Sequence, residues 1–131
     1  MDAERALVKS PPRPDVVIDD PPRMNLLGLI LGDIMQRGLE RPENQRRFAG
    51  LVPASVVVRA GEMAVTLRFE EQRLVVQRGA AERPRAQVAG ALDELMALSL
   101  GGGMVGPWLA GRLKTRGSLL LLLRLRPLLQ V

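Results

Sequence analysis

The chain has 131 residues, about one domain, with 47% hydrophobic and 25% charged residues, a composition ordinary for a globular protein that buries a core. It contains no Cys, no His and no Tyr, which excludes disulfides, thiol nucleophiles, zinc ribbons, iron–sulfur centres and imidazole-based catalysis. Leu occurs 23 times, Arg outnumbers Lys 17 to 2, and the formal net charge is +5.

That charge is uneven. Acids and bases balance up to Glu94; beyond it there is no acid, and Arg112, Lys114, Arg116, Arg124 and Arg126 supply the whole excess. Such asymmetry implies either an anionic partner surface or a solvated positive end. Leucines rather than stacking aromatics interleave these cations, which favours acidic lipid over nucleic acid.

The first ten residues carry acids at Asp2 and Glu4 and no apolar h-region, so no secretory signal is expected. The expected location is cytoplasmic, peripheral to membranes. Pro11, Pro12, Pro14, Pro21 and Pro22 make residues 1–23 an extended lead-in, a tether more than a sheet edge despite Val16-Val17-Ile18. From Met24 the apolar positions Leu27, Ile30, Leu31, Ile34 and Met35 follow helical spacing up to Gly38. Gly28 and Gly32 form a GxxxG, expected to serve close packing because the charge-free run 24–32 is too short to span a membrane. A second short helix is expected from Pro42 to Phe48.

Residues 51–92 read as strands. Val56-Val57-Val58 is β-branched, and Gly61-Glu62 is a turn. Met63, Val65, Leu67 and Phe69 alternate with Ala64, Thr66, Arg68 and Glu70, a period of two with one apolar face. Glu71-Gln72 turns the chain into Leu74-Val75-Val76, residues 79–84 form a loop, and Ala86–Leu92 is a further strand. At Asp93-Glu94 the acids suit a helix start. The uncharged stretch 95–111 is broken by glycines and Pro107, so a membrane span is rejected. Residues 112–116 alternate as a strand with a basic face, Gly117 turns, Ser118 caps, and Leu119 to Arg126 forms a helix that Pro127 ends. The fold class is therefore α+β.

Catalytic motifs fail on their physics. The GxGxxG at Gly101–Gly106 follows helix-like sequence and has no acid downstream, unlike a dinucleotide fingerprint. The acidic pairs Asp19-Asp20, Glu70-Glu71 and Asp93-Glu94 are sequence neighbours that point apart, and none forms a dyad alone. No metal cluster or nucleophile elbow is present in the sequence, and no enzyme, cofactor or metal is expected. Five leucines in a row, Leu119 to Leu123, exceed one helix face. Such a helix is sandwiched between apolar partners, borders a ligand cavity or membrane, or forms a dimer contact.

The order of pieces from residue 63 to 126 resembles the sterol carrier protein 2 family of lipid-transfer domains. The pieces are AVTLRFEEQRLVVQRG, then RPRAQVAG, DELMALSLGG, GPWLAG and RLKTRGSLLLLLRLRPLL. With the leading helix the resemblance covers residues 24–131, the expected lipid-binding domain. Arg85 stands where the family usually has an acid, and GGGMVG is richer in glycine than usual. The resemblance implies a five-stranded, mainly antiparallel sheet with helices packed on one face enclosing an apolar tunnel. It also implies a carrier of sterols, acyl chains, phospholipids or isoprenoid quinones that needs no cofactor.

On that basis the candidate lining residues are Val65, Leu67 and Phe69 from the strand face, with Met96, Leu100, Met104, Trp108 and Leu109 from the late helix pieces. Leu119, Leu120 and Leu123 come from the last helix. Arg112, Lys114, Arg116, Arg124 and Arg126 are the candidate contacts to an anionic membrane surface. The other reading is an interaction or homodimerisation module built on the leucine-rich helix.

Overall fold

The computed structural model describes residues 14–99, 111 and 113–129. Six strands form one sheet: β1 (Asp15–Ile18), β2 (Ser55–Ala60), β3 (Met63–Glu70), β4 (Arg73–Arg78), β5 (Ala86–Gly90) and β6 (Leu113–Gly117). Their spatial order is β1-β4-β3-β2-β5-β6. Pairing is antiparallel for β2–β3, β3–β4 and β5–β6, and parallel for β1–β4 and β2–β5. The sheet is thus mixed and six-stranded where the resemblance implies five strands.

The added strand is β1, from the proline-rich lead-in. Its four residues fit between Pro14 and Pro21, so no proline has to donate to the ladder. The Asp15 N–H donates to Gln72 O (3.1 Å) and the Asp19 N–H to Val76 O (2.9 Å), closing the otherwise open edge of β4. Proline density forbade helix here, and the short gap between prolines was enough for an edge strand.

Four α-helices are described: α1 (Leu26–Gly38), α2 (Pro42–Ala49), α3 (Leu92–Ser99) and α4 (Leu119–Leu125). A 3-10 turn, Arg126–Leu129, continues α4. Asn25 caps α1, its Oδ1 accepting from the Gly28 N–H at 2.9 Å while its Nδ2 donates to Ala64 O on β3 at 3.1 Å. Thus the cap also fixes the helix to the sheet. Gly28 and Gly32 let α1 approach closely: a Cβ on Gly32 would meet Ile18 Cδ1 of β1 at 2.6 Å. The expected packing role of the GxxxG holds.

The face of the sheet beneath the helices carries Val56, Val58, Val65, Leu67, Phe69, Leu74, Val76, Ala86 and Val88, all buried. Phe48 of α2 meets Phe69 with ring centroids 5.5 Å apart and planes tilted by 59°. Asn44, 1% exposed, joins three elements: its Nδ2 donates to Gly38 O (2.8 Å) and Pro127 O (3.3 Å), and its Oδ1 accepts from Arg47 Nη1 (2.8 Å). On the opposite face, Thr66 Oγ1 donates to Gly79 O and accepts from the Ala81 N–H, each at 2.9 Å. The link 79–85 therefore crosses this face, and Val57, paired with Thr66, is fully buried there.

Candidate functional site

An apolar seam lies between α1, β2, β5 and α3. Its walls are Leu27, Ile30, Leu31 and Ile34 of α1, Val58 of β2, Val88 of β5, Leu95 and Met96 of α3, and Leu129. Helical spacing puts the four α1 residues on one side, and strand alternation turns Val58 and Val88, direct partners in the sheet, toward them. Among the described residues no charged side chain lines it. The enclosed space is about 40 Å³, room for about one water molecule and far below the roughly 300–1,000 Å³ of small-molecule sites. An apolar ligand larger than this needs the walls of the seam to part.

Of the expected lining residues, Met96 faces this seam. Val65, Leu67 and Phe69 are buried on the correct face but in the packed core. Leu119, Leu120 and Leu123 are 40%, 59% and 48% exposed, while Leu121, Leu122 and Leu125 of the same helix are buried. Alternation of in and out along α4 thus resolves the leucine run: one side seals the core and the other stands in solvent. Leu100, Met104, Trp108 and Leu109 lie outside the described residues.

A second, polar concavity of about 170 Å³ sits beside α4. It is lined by the 50–54 segment, Arg85, Ser118, Leu120, Leu121 and Arg124. A wider groove of about 360 Å³ adjoins it and shares Gly50 and Arg124, with Arg46, Arg47, Leu123 and Pro127 completing its walls. Local geometry explains their meeting. The Arg85 N–H donates to Ser55 O (2.8 Å), and the Ser118 N–H donates to Arg85 O (3.0 Å), so the start of β5 abuts the cap of α4. Ser118 Oγ accepts from the Leu121 N–H at 3.2 Å to start the helix.

The expected membrane contacts are not all together. Lys114 and Arg116 alternate with Leu113 and Thr115 along β6, which turns them to the sheet face opposite the helices. Arg124 stands exposed on α4, Arg126 is half-buried, and Arg112 lies outside the described residues. Arg46, Arg47 and Arg85 accompany Arg124 here, and composition does not single them out because they belong to segments where acids and bases balance.

Among the described residues no group of three or more acidic side chains is placed to hold a metal ion, and no helix is long and apolar enough to cross a membrane. The acidity of Glu70 is displaced by its neighbours. Arg73 donates to it at 2.6 Å and holds its pKa below the usual 4.5; burial opposes this, and the charges of Arg73 and Arg68 add to the lowering. This cluster is on the sheet face away from the seam, and its chemistry is that of a surface ion pair.

No curated protein sequence matches the chain significantly. Solved structures do share the fold. The "UbiJ-SCP2 Ubiquinone synthesis protein" superposes with a TM-score of 0.68 at 16% identity, over 79% of this chain and 93% of that one. Sterol carrier protein 2 from Yarrowia lipolytica in its apo form gives a TM-score of 0.58 at 16% identity, over 81% and 94%. Palmitated SCP2L2 from Aedes aegypti gives 0.57 at 18% identity, over 82% and 96%. The model of the SCP-2 sterol transfer family matches residues 31–130, from the middle of α1 through the last turn. The mixed sheet with helices over one of its faces is thus a fold shared with sterol carrier protein 2 structures, and the chain belongs to the SCP-2 sterol transfer family.

Proposed function

We propose that this protein is a non-catalytic carrier that binds an apolar lipid in the seam between α1, β2, β5 and α3 and exchanges it at membranes. The observation that carries this reading is the uncharged lining of the seam in a chain of this family. Binding is driven by desolvation: a ligand burying about 400 Å² of apolar surface gains about 10 kcal/mol. Association costs of about 4–15 kcal/mol reduce that gain, so affinity in the micromolar range needs no buried charge.

The seam is narrow in the structure, so loading requires its walls to part. Leu95 and Met96 are only half-buried there, and the flexible Met96 side chain suits a wall that adapts to its contents. Carriers of acyl chains, sterols or isoprenoid quinones share this physical requirement, and the likeness to a ubiquinone synthesis protein and to a palmitated protein supports a chain-like cargo. The seam offers no acid, base or nucleophile to transform it.

The test is saturable uptake of a fluorescent fatty acid. Ile30 is half-buried at the seam, so Ile30→Trp fills it from the rim with the core left in place. The expected result is wild-type uptake that is saturable and falls at least roughly tenfold in Ile30→Trp, since a blocked pocket loses more than 1.4 kcal/mol. Equal uptake by the two proteins would overturn the assignment of the seam.

A further inference from the structure

We infer that the outer side of α4 and the two adjoining concavities form the surface by which the protein docks on an anionic lipid bilayer. This rests on the carrier reading, which requires contact with a membrane. It replaces a docking segment defined by sequence position with one defined by the fold.

The surface joins three separated parts of the chain. Arg46 and Arg47 come from α2, Arg85 from the entry to β5, and Leu120, Leu123 and Arg124 from α4. Among the described residues no Asp or Glu lines either concavity. Arg46, Arg85 and Arg124 are exposed and have no ion pair among the described residues. Glu43, one turn before Arg46 on α2, has none either. Arg47 is different, since it donates to Asn44 Oδ1 and braces the core.

The occupant follows from the combination. Leu120 and Leu123, with Leu119 beside them, stand among unneutralised guanidinium groups. Arginines lay their aliphatic stems along apolar surface and keep their heads at the phosphates, so leucine flanked by arginine is the pattern of an interfacial anchor. A soluble anion would satisfy the arginines and leave the leucines in water; an acidic bilayer satisfies both. Lys114 and Arg116 do not share this surface, because β6 directs them to the other face of the sheet.

Cosedimentation of the full chain with vesicles tests the assignment, using phosphatidylcholine alone and equal parts phosphatidylcholine and phosphatidylglycerol. Wild type is expected to bind only the anionic vesicles, and less as salt rises. Arg46→Gln/Arg85→Gln/Arg124→Gln should weaken binding roughly 100-fold, at about a fivefold loss per charge. Arg46→Lys/Arg85→Lys/Arg124→Lys should retain it. Leu120→Ser/Leu123→Ser should weaken it roughly tenfold or more in a folded protein, as circular dichroism would verify. Lys114→Gln/Arg116→Gln should change it less than about threefold.

Stronger loss from the β6 pair than from the arginine triple would overturn the proposal. So would wild type that ignores anionic vesicles, or a concentration-dependent dimer abolished by Leu120→Ser/Leu123→Ser, which would give the leucines to a second copy. Lipid extraction from the same preparations separates this from the carrier reading. Docking lost with bound lipid retained supports the surface; lipid absent from a protein that still docks removes the carrier reading and leaves the surface intact.

Discussion

Asn44 shows how a single polar side chain holds this fold at a junction. It is buried and donates to carbonyls at the end of α1 and in the last turn, so its loss removes a donor from each. Asn44→Ala is expected to cost about 1–3 kcal/mol in urea unfolding, because the buried amide's bonds to the Gly38 and Pro127 carbonyls are lost together. Gly38 makes the same junction from the other side. A Cβ there would overlap the Leu128 carbonyl oxygen, a backbone atom that cannot swing away, so Gly38→Ala should displace the C-terminal turn and lower stability. Gly117, at φ +78° and close to the Arg85 carbonyl, combines a left-handed turn with a tight approach. Glu70 supplies a pH test. Its folded-state pKa is lowered by Arg73, so its contribution is present at neutral pH and lost as pH falls through the carboxylate range. The stability gap between wild type and Glu70→Gln should therefore be small, positive at neutral pH, and vanish in acid.

At the scale of elements, α4 divides its leucines by burial, and mutation should divide them the same way. Leu122→Ala and Leu125→Ala remove core volume and should each cost about 2–5 kcal/mol, whereas Leu120→Ala should cost less than about 0.5 kcal/mol; Leu122 and Leu125 are 4% and 1% exposed, against 59% for Leu120. Most elements were legible in sequence. Apolar spacing from Leu27 to Met35 marked α1, alternation from Met63 to Glu70 marked β3, and Ser118 marked the start of α4. The strand β1 was not legible, because local proline content speaks against structure while its pairing partner lies 58 residues away, as in Asp15 opposite Arg73. The expected strand 86–92 ends two residues early, at Gly90, because α3 already begins at Leu92, with Asp93 and Glu94 in its first turn.

At the scale of the molecule, periodicity told which side of each element is apolar but not what covers it. The clean alternation of β3 nominated Val65, Leu67 and Phe69 for the site, yet strand order puts β3 at the centre of the sheet, beneath α1 and Phe48. The seam opens instead over β2 and β5, whose valines Val58 and Val88 give a weaker sequence signal. Charge behaved likewise. A run of basic residues near the C-terminus is split by β6 and α4 onto different faces, while Arg46 and Arg85 reach Arg124 through folding alone. Native mass spectrometry of the purified chain, with solvent extraction of whatever accompanies it, tests the carrier reading most directly. A stoichiometric apolar lipid, released on unfolding and excluded by Ile30→Trp, is the expected result; a protein that carries none and takes up none from vesicles would contradict it.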